Sequence, residues 1–128
     1  MTRRYTSLVL AALIGALVLG ACGGGAAPTA APAAKAFTVE ATEFAFSPNA
    51  FNAKVGDDIT FTITNGGTIE HNFVVFDPSG SEVGRTSIAV GAQATLNVKP
   101  TTAGAYTIDC DIAGHKEAGM VATLTVTQ

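Results

Sequence analysis

From Phe37 to Gln128, apolar and polar side chains alternate with a period of two. Phe37, Val39 and Ala41 share one parity. So do Ile59, Phe61 and Ile63, then Leu96 and Val98, then Tyr106, Ile108 and Cys110, then Ala122, Leu124 and Val126. Successive side chains of a strand point to opposite faces, so this pattern calls for strands with one buried face. Turn formers separate the runs at Ser47-Pro48-Asn49, Val55-Gly56-Asp57, Asn65-Gly66-Gly67, Asp77-Pro78-Ser79-Gly80, Val90-Gly91 and Lys99-Pro100. No stretch of this region carries a helical stripe. Seven or eight short strands at this spacing predict an all-β fold, an antiparallel Greek-key β-sandwich. About 90 residues suffice for one core. Gly104-Ala105-Tyr106 resembles the corner at which a Tyr hydroxyl bonds back to the backbone, a structural role.

The same parity places the chain's scarce soft donors. If Tyr106 and Ile108 are core, Cys110 points inward at the end of its strand, and Asp109 and Asp111 point outward. Cys110 opens the stretch Cys110-Asp-Ile-Ala-Gly-His115-Lys-Glu-Ala-Gly-Met120, with His115 and Met120 each five positions after the previous donor. Gly114 and Gly119 permit the tight turns that such a loop needs. The other His of the chain, His71, precedes the apolar run Phe73-Val74-Val75-Phe76, and Met120 is the one Met besides Met1. Singly, a buried Cys is a small core residue and a Met a gap filler. Together, one Cys, two His and one Met are the donor set of a blue-copper site, a trigonal His₂Cys plane with a weak axial Met. Bound metal would hold Cys110 as the thiolate although its surroundings are apolar. The same donors also bind zinc in vitro.

The N-terminus reads as a leader. Arg3 and Arg4 precede the apolar run Leu8–Leu19, which is short for a membrane span of roughly 20 residues. Leu19-Gly20-Ala21-Cys22 resembles the bacterial lipoprotein signal, in which the peptide is cut before the Cys and the Cys carries the lipid. An ordinary signal or an uncleaved anchor are the alternatives. The expected organisation is a signal peptide over 1–21, a lipidated Cys22 with a flexible Gly/Ala/Pro linker over 22–36, and one domain over 37–128. Export would suggest a disulfide, but Cys22 and Cys110 each have their own explanation, and a bridge would remove the thiolate.

With these residues in view, Tyr106 to Met120 and His71-Asn72-Phe73 resemble the cupredoxin family, the plastocyanin- and azurin-like blue copper proteins. The Cys-x₄-His-x₄-Met spacing is similar to that of auracyanin and rusticyanin. It is longer before the His than in plastocyanin and longer after it than in azurin. The resemblance covers essentially all of 37–128. It implies His71, Cys110 and His115 as equatorial ligands of one copper ion, with Met120 axial. It implies that Asn72 ties the ligand strand to the Cys loop, where a purely local bond is the alternative. It also implies that His115 has an edge near solvent ringed by Ile112, Ala113, Gly114, Ala118 and Gly119, with Gly66 and Gly67 adjacent. Lys116 and Glu117 depart from an apolar rim.

The expected function is one-electron transfer without enzymatic turnover; copper storage or delivery is the alternative. A copper enzyme needs further centres built from more His residues than this chain has. Without Arg3 and Arg4, five Lys/Arg stand against ten Asp/Glu. That acidity argues against nucleic acid and for a basic redox partner, such as a cytochrome or a membrane electron-transfer complex. A lipid-tethered monomer on the periplasmic or extracellular side is expected. Asp109 and Asp111 either lower the potential by their charge or simply solvate the strand's outer face.

Overall fold

The computed structural model describes residues 31–128, and nine strands form among them. They are β1 Ala34–Thr42, β2 Ala45–Ser47, β3 Ala50–Lys54, β4 Asp58–Asn65, β5 His71–Phe76, β6 Glu82–Ile88, β7 Gln93–Val98, β8 Gly104–Asp109 and β9 Val121–Thr127. One sheet runs β2-β1-β4-β7, and the other β3-β9-β8-β5-β6. The all-β sandwich expected from the alternation is present, but its sheets are mixed. β1 pairs parallel with β4, and β3 pairs parallel with β9. A parallel pair needs a crossover between its strands. Residues 43–57 provide it for β1 and β4, leaving one sheet after β2 and adding β3 to the other. Period-two alternation fixes which face of a strand is buried and says nothing about its direction. The ninth strand arises because the segment around Pro48 contributes two short strands, β2 and β3.

The core lies between the sheets. A file of aromatic rings crosses it: Phe37 on Phe51, Phe51 on Phe61, Phe61 on Phe73 and Phe73 on Phe46, with centroids 5.0–5.2 Å apart. Such tilted and edge-to-face contacts suit the ring quadrupoles. Tyr106 closes the corner as expected, its Oη donating to the Thr102 carbonyl at 3.1 Å.

β1 begins at Ala34, so residues 34–36, assigned to the linker from their composition, pair with Asp58–Thr60. Asp57 holds this entry. Its carboxylate is 1% exposed and accepts the Ala33 and Lys54 amides, each at 2.9 Å. The Ala33 bond first, and the Lys54 bond next, hold its pKa below the ordinary aspartate range. A depressed folded-state pKa stabilises the fold above the unfolded value of about 4, and the benefit is lost as pH falls through the folded value. The urea midpoint of the metal-free protein is therefore expected to drop on acidification below about pH 4, and Asp57→Asn to flatten that drop. Parallel acid limbs in the two proteins would remove Asp57 from the account.

Candidate metal centre

Three strand ends meet at one pole of the sandwich. His71 is the first residue of β5, paired with Ile88 of β6, and is fully buried. Cys110 directly follows β8, and the parity of Tyr106 and Ile108 carries it inward. Between Cys110 and Met120 the chain makes consecutive turns. The His115 amide bonds the Ile112 carbonyl at 3.0 Å, and the Met120 amide bonds the His115 carbonyl at 3.1 Å. Gly114 and Gly119 have φ of +85° and +107°, the left-handed region that a Cβ disfavours. The Cys110 amide then bonds the Met120 carbonyl at 3.2 Å, which closes the loop and buries Met120 beside the site.

The loop and β5 bring three donor atoms together. His71 Nδ1 lies 3.3 Å from His115 Nδ1, and Cys110 Sγ lies 3.3 Å from the same His115 nitrogen. All three residues are buried, with one ligand atom from each within 4.8 Å of the others. A metal bound at about 2.0 Å to nitrogen and about 2.3 Å to sulfur fits among donors this close. Two facing Nδ1 atoms can share only one proton, so without an ion they hold each other poorly. Burial first, and the charge of His115 second, push the His71 imidazole down in pKa, while Glu43 opposes them. A neutral imidazole is the form that ligates. Its Nε2 is buried without a hydrogen-bond partner among the described residues. The donor set therefore fits a type 1 copper ion held by His71, Cys110 and His115, with Met120 adjacent.

Asn72 ties β5 to the Cys loop. Its amide points at Cys110 Sγ at 3.3 Å, its Nδ2 donates to Asp111 Oδ1 at 2.7 Å, and its Oδ1 accepts Ser87 Oγ at 2.7 Å. Arg85 extends this network, bonding Asp111 at 2.8 Å and Glu82 through two nitrogens. The Asn72 bond first, and the Arg85 bond after it, keep Asp111 low in pKa.

Two expectations about the surroundings need correction. Asp109 is on the outer face of its sheet yet only 2% exposed, because Lys116 lies over it in an ion pair. Neither Asp109 nor Asp111 is a free charge beside the thiolate. Gly66 and Gly67 do not form an apolar rim, since the carboxylates of Glu40 and Glu43 lie beside them; a Cβ on either would come within 2.6 Å of a carboxylate oxygen. Ala113, Gly114, Ala118 and Gly119 are exposed around His115 as expected, with Ile112 half-buried.

Two residues escaped the sequence reading. Phe44, 39% exposed in the β1–β2 turn, meets the His115 ring edge-on at 4.8 Å. An aromatic side chain in a turn was the available signal. Asn65, buried at the end of β4, donates from Nδ2 to the Ile69 and Ile88 carbonyls at 2.7 and 2.9 Å and accepts the Gly67 amide at 2.9 Å. It shapes the turn that delivers His71, and it had been read only as a turn former. Cys22 and the leader lie outside the described residues, and among those described no helix is long and apolar enough to cross a membrane.

The family described as a cupredoxin-like domain matches residues 11–126. The copper-resistant cuproprotein CopI of Rubrivivax gelatinosus is 31% identical, aligned over 63% of this chain and 59% of that protein. Chloroplastic plastocyanin of Hordeum vulgare is 39% identical over 63% of this chain and 54% of its own length. The chain thus spans rather more than half the length of these relatives. Among solved structures, auracyanin B superposes with a TM-score of 0.66 at 18% identity, covering 73% of this chain and 89% of that one. The dithionite-reduced auracyanin of Roseiflexus castenholzii gives 0.65 at 19%, covering 78% and 100%. At these identities the structural likeness shows the fold.

Proposed function

The chain belongs to the cupredoxin family, and from that premise we propose that it is a type 1 copper protein carrying single electrons between redox partners, and not an enzyme. The observation that carries this is the buried convergence of His71, Cys110 and His115, with Met120 buried beside them. Copper, when bound, supplies a one-electron couple whose oxidised form suits nitrogen donors and whose reduced form suits sulfur. The protein's part is to hold both donor types in one place. The Asn72 amide steadies Sγ, the turns around Gly114 and Gly119 hold His115, and the closed sandwich excludes water.

His115 is 7% exposed, the only one of the four not wholly buried, and Phe44 leans on its ring. We place electron entry and exit there. Glu43, Glu70 and Glu117 are exposed around this pole, while its cations Arg85 and Lys116 are paired with Asp111 and Asp109. Lys35, Lys54 and Lys99 lie at the opposite end of β1, β3 and β7. A partner with a basic docking face suits this distribution. We assign export and a lipid tether at Cys22 from the leader sequence.

A second reading, copper handling without redox turnover, is favoured by the likeness to a protein named for copper resistance. Voltammetry of the copper-loaded protein, run beside a challenge with a copper(I) chelator, separates the two. The carrier should give a reversible one-electron wave and keep its copper through repeated cycles. Loss of copper to the chelator with no reversible wave would favour handling.

A further inference from the structure

The residue before Cys110 and the residue after His115 are joined to each other. Asp109 ends β8, opposite Val121 of β9 and Val74 of β5, and its carboxylate is buried. Among the described residues, Lys116 is the one side chain paired with it. The Lys116 side chain itself is 54% exposed and reaches across a shallow depression lined by Phe76, Gly80 and Thr107. The pair therefore brackets the segment that carries Cys110 and His115. Asp111 is tied to Asn72 and Arg85, but beyond it Ala113, Gly114, Glu117, Ala118 and Gly119 are exposed, and among the described residues Lys116 is the one side chain between Ile112 and Met120 in an ion pair. Backbone bonds knit the loop to itself, from Cys110 and Ile112 through Gly114, His115 and Lys116 to Met120, and the ion pair ties its middle to the outer face of the β5/β8/β9 sheet.

We propose that Asp109 and Lys116 are a positioning pair that holds His115 at its distance from Cys110 and so slows the release of copper. The inference rests on the metal assignment above. The two partners are not equivalent. Removing Lys116 leaves a buried carboxylate without its cation, whereas removing Asp109 leaves an ammonium that can turn into water. Loop disturbance should therefore be greater in Lys116→Leu than in Asp109→Asn.

The test follows copper(I) leaving the loaded full-length protein for an external chelator, well below the melting temperature. Lys116→Leu is expected to speed release about tenfold, the low end of what residues supporting metal ligands contribute. The double variant D109N/K116L, which buries no lone charge, should release at an intermediate rate and decides the matter if Lys116→Leu does not fold. Asp57→Asn weakens the opposite pole and should release at the wild-type rate despite its lower stability. Wild-type release from the Lys116 variants, or release that merely follows melting temperature in all of them, overturns the positioning role alone. A wild-type protein that takes up no copper overturns the metal assignment and this inference with it.

Discussion

Cys110→Ser is expected to abolish the intense visible absorption of the Cu(II)-loaded protein and widen its copper hyperfine splitting to that of ordinary nitrogen- and oxygen-bound copper. The absorption requires electron density on a soft, polarisable thiolate that overlaps with the metal, and a hydroxyl does not provide it. Cys110 is the one cysteine among the described residues, and it is fully buried against His115 Nδ1. Among the described residues, the buried Met120 holds the one other sulfur. The effect should be specific to the metal. Serine is nearly isosteric, its Oγ can accept the Asn72 amide that now points at Sγ, and the stability of the metal-free fold should change by no more than about 1–3 kcal/mol, the range for burying one hydroxyl. Absorption and EPR spectra after one equivalent of Cu(II), beside urea unfolding of both metal-free proteins, measure the two parts. A variant that stays blue would remove Cys110 from the site. A variant that loses colour only because it fails to fold would show up in the urea curve.

How much of this was legible beforehand depends on which physical rule carried the information. Parity was the strongest. It put Tyr106, Ile108 and Cys110 on one face, and all three are buried. It also marked β1, β4, β7, β8 and β9, because a one-residue slip would turn every apolar side chain to solvent, but it gave no sign of β2, β3 or β6. Strand direction was not encoded in it, so the parallel β1–β4 and β3–β9 pairs were missed. Parity also names a face rather than an exposure. Asp109 does lie on the outer face of its sheet, and a long side chain from seven residues further on covers it, a placement that only the folded loop reveals. The site's donors were legible because their types are rare in this chain and their spacing is regular. Phe44 and Glu43 were not, since they reach the site from the β1–β2 turn, far from His115 in sequence. Compositional reading drew the linker boundary at 36, whereas Asp57, itself braced by the Lys54 amide, captures the chain from Ala33 onward through the Ala33 amide. Ala and Lys carry no signal of that pairing themselves.

Asn65→Ala should produce the largest loss of stability of any polar substitution in the domain. The side chain is 2% exposed and uses both amide protons and its oxygen, serving the Ile69 and Ile88 carbonyls and the Gly67 amide. Alanine leaves all three backbone groups without that partner. Ile88 is fully buried, so water cannot substitute at its carbonyl without opening the sandwich. An unsatisfied buried polar group costs about 1–3 kcal/mol. With the other two groups partly reached by solvent, a total near 3 kcal/mol is expected, or a melting temperature lower by on the order of 15 °C for a domain of this size. Asn65→Asp should be no better. It keeps an acceptor for Gly67 but sets a carboxylate oxygen against two carbonyls. The damage should spread toward the metal. Asn65 shapes the turn that ends at His71, and Glu43 holds the same turn through the Thr68 and Ile69 amides. Loss of one of its two anchors should raise hydrogen exchange at 67–69 before it affects β8 or β9, and should weaken copper binding through His71 while Cys110 and His115 stay in place. If urea unfolding shows less than about 1 kcal/mol lost, the value of a single ordinary hydrogen bond, then solvent or a shifted turn satisfies those carbonyls, and His71 owes its position to β5 and β6 alone.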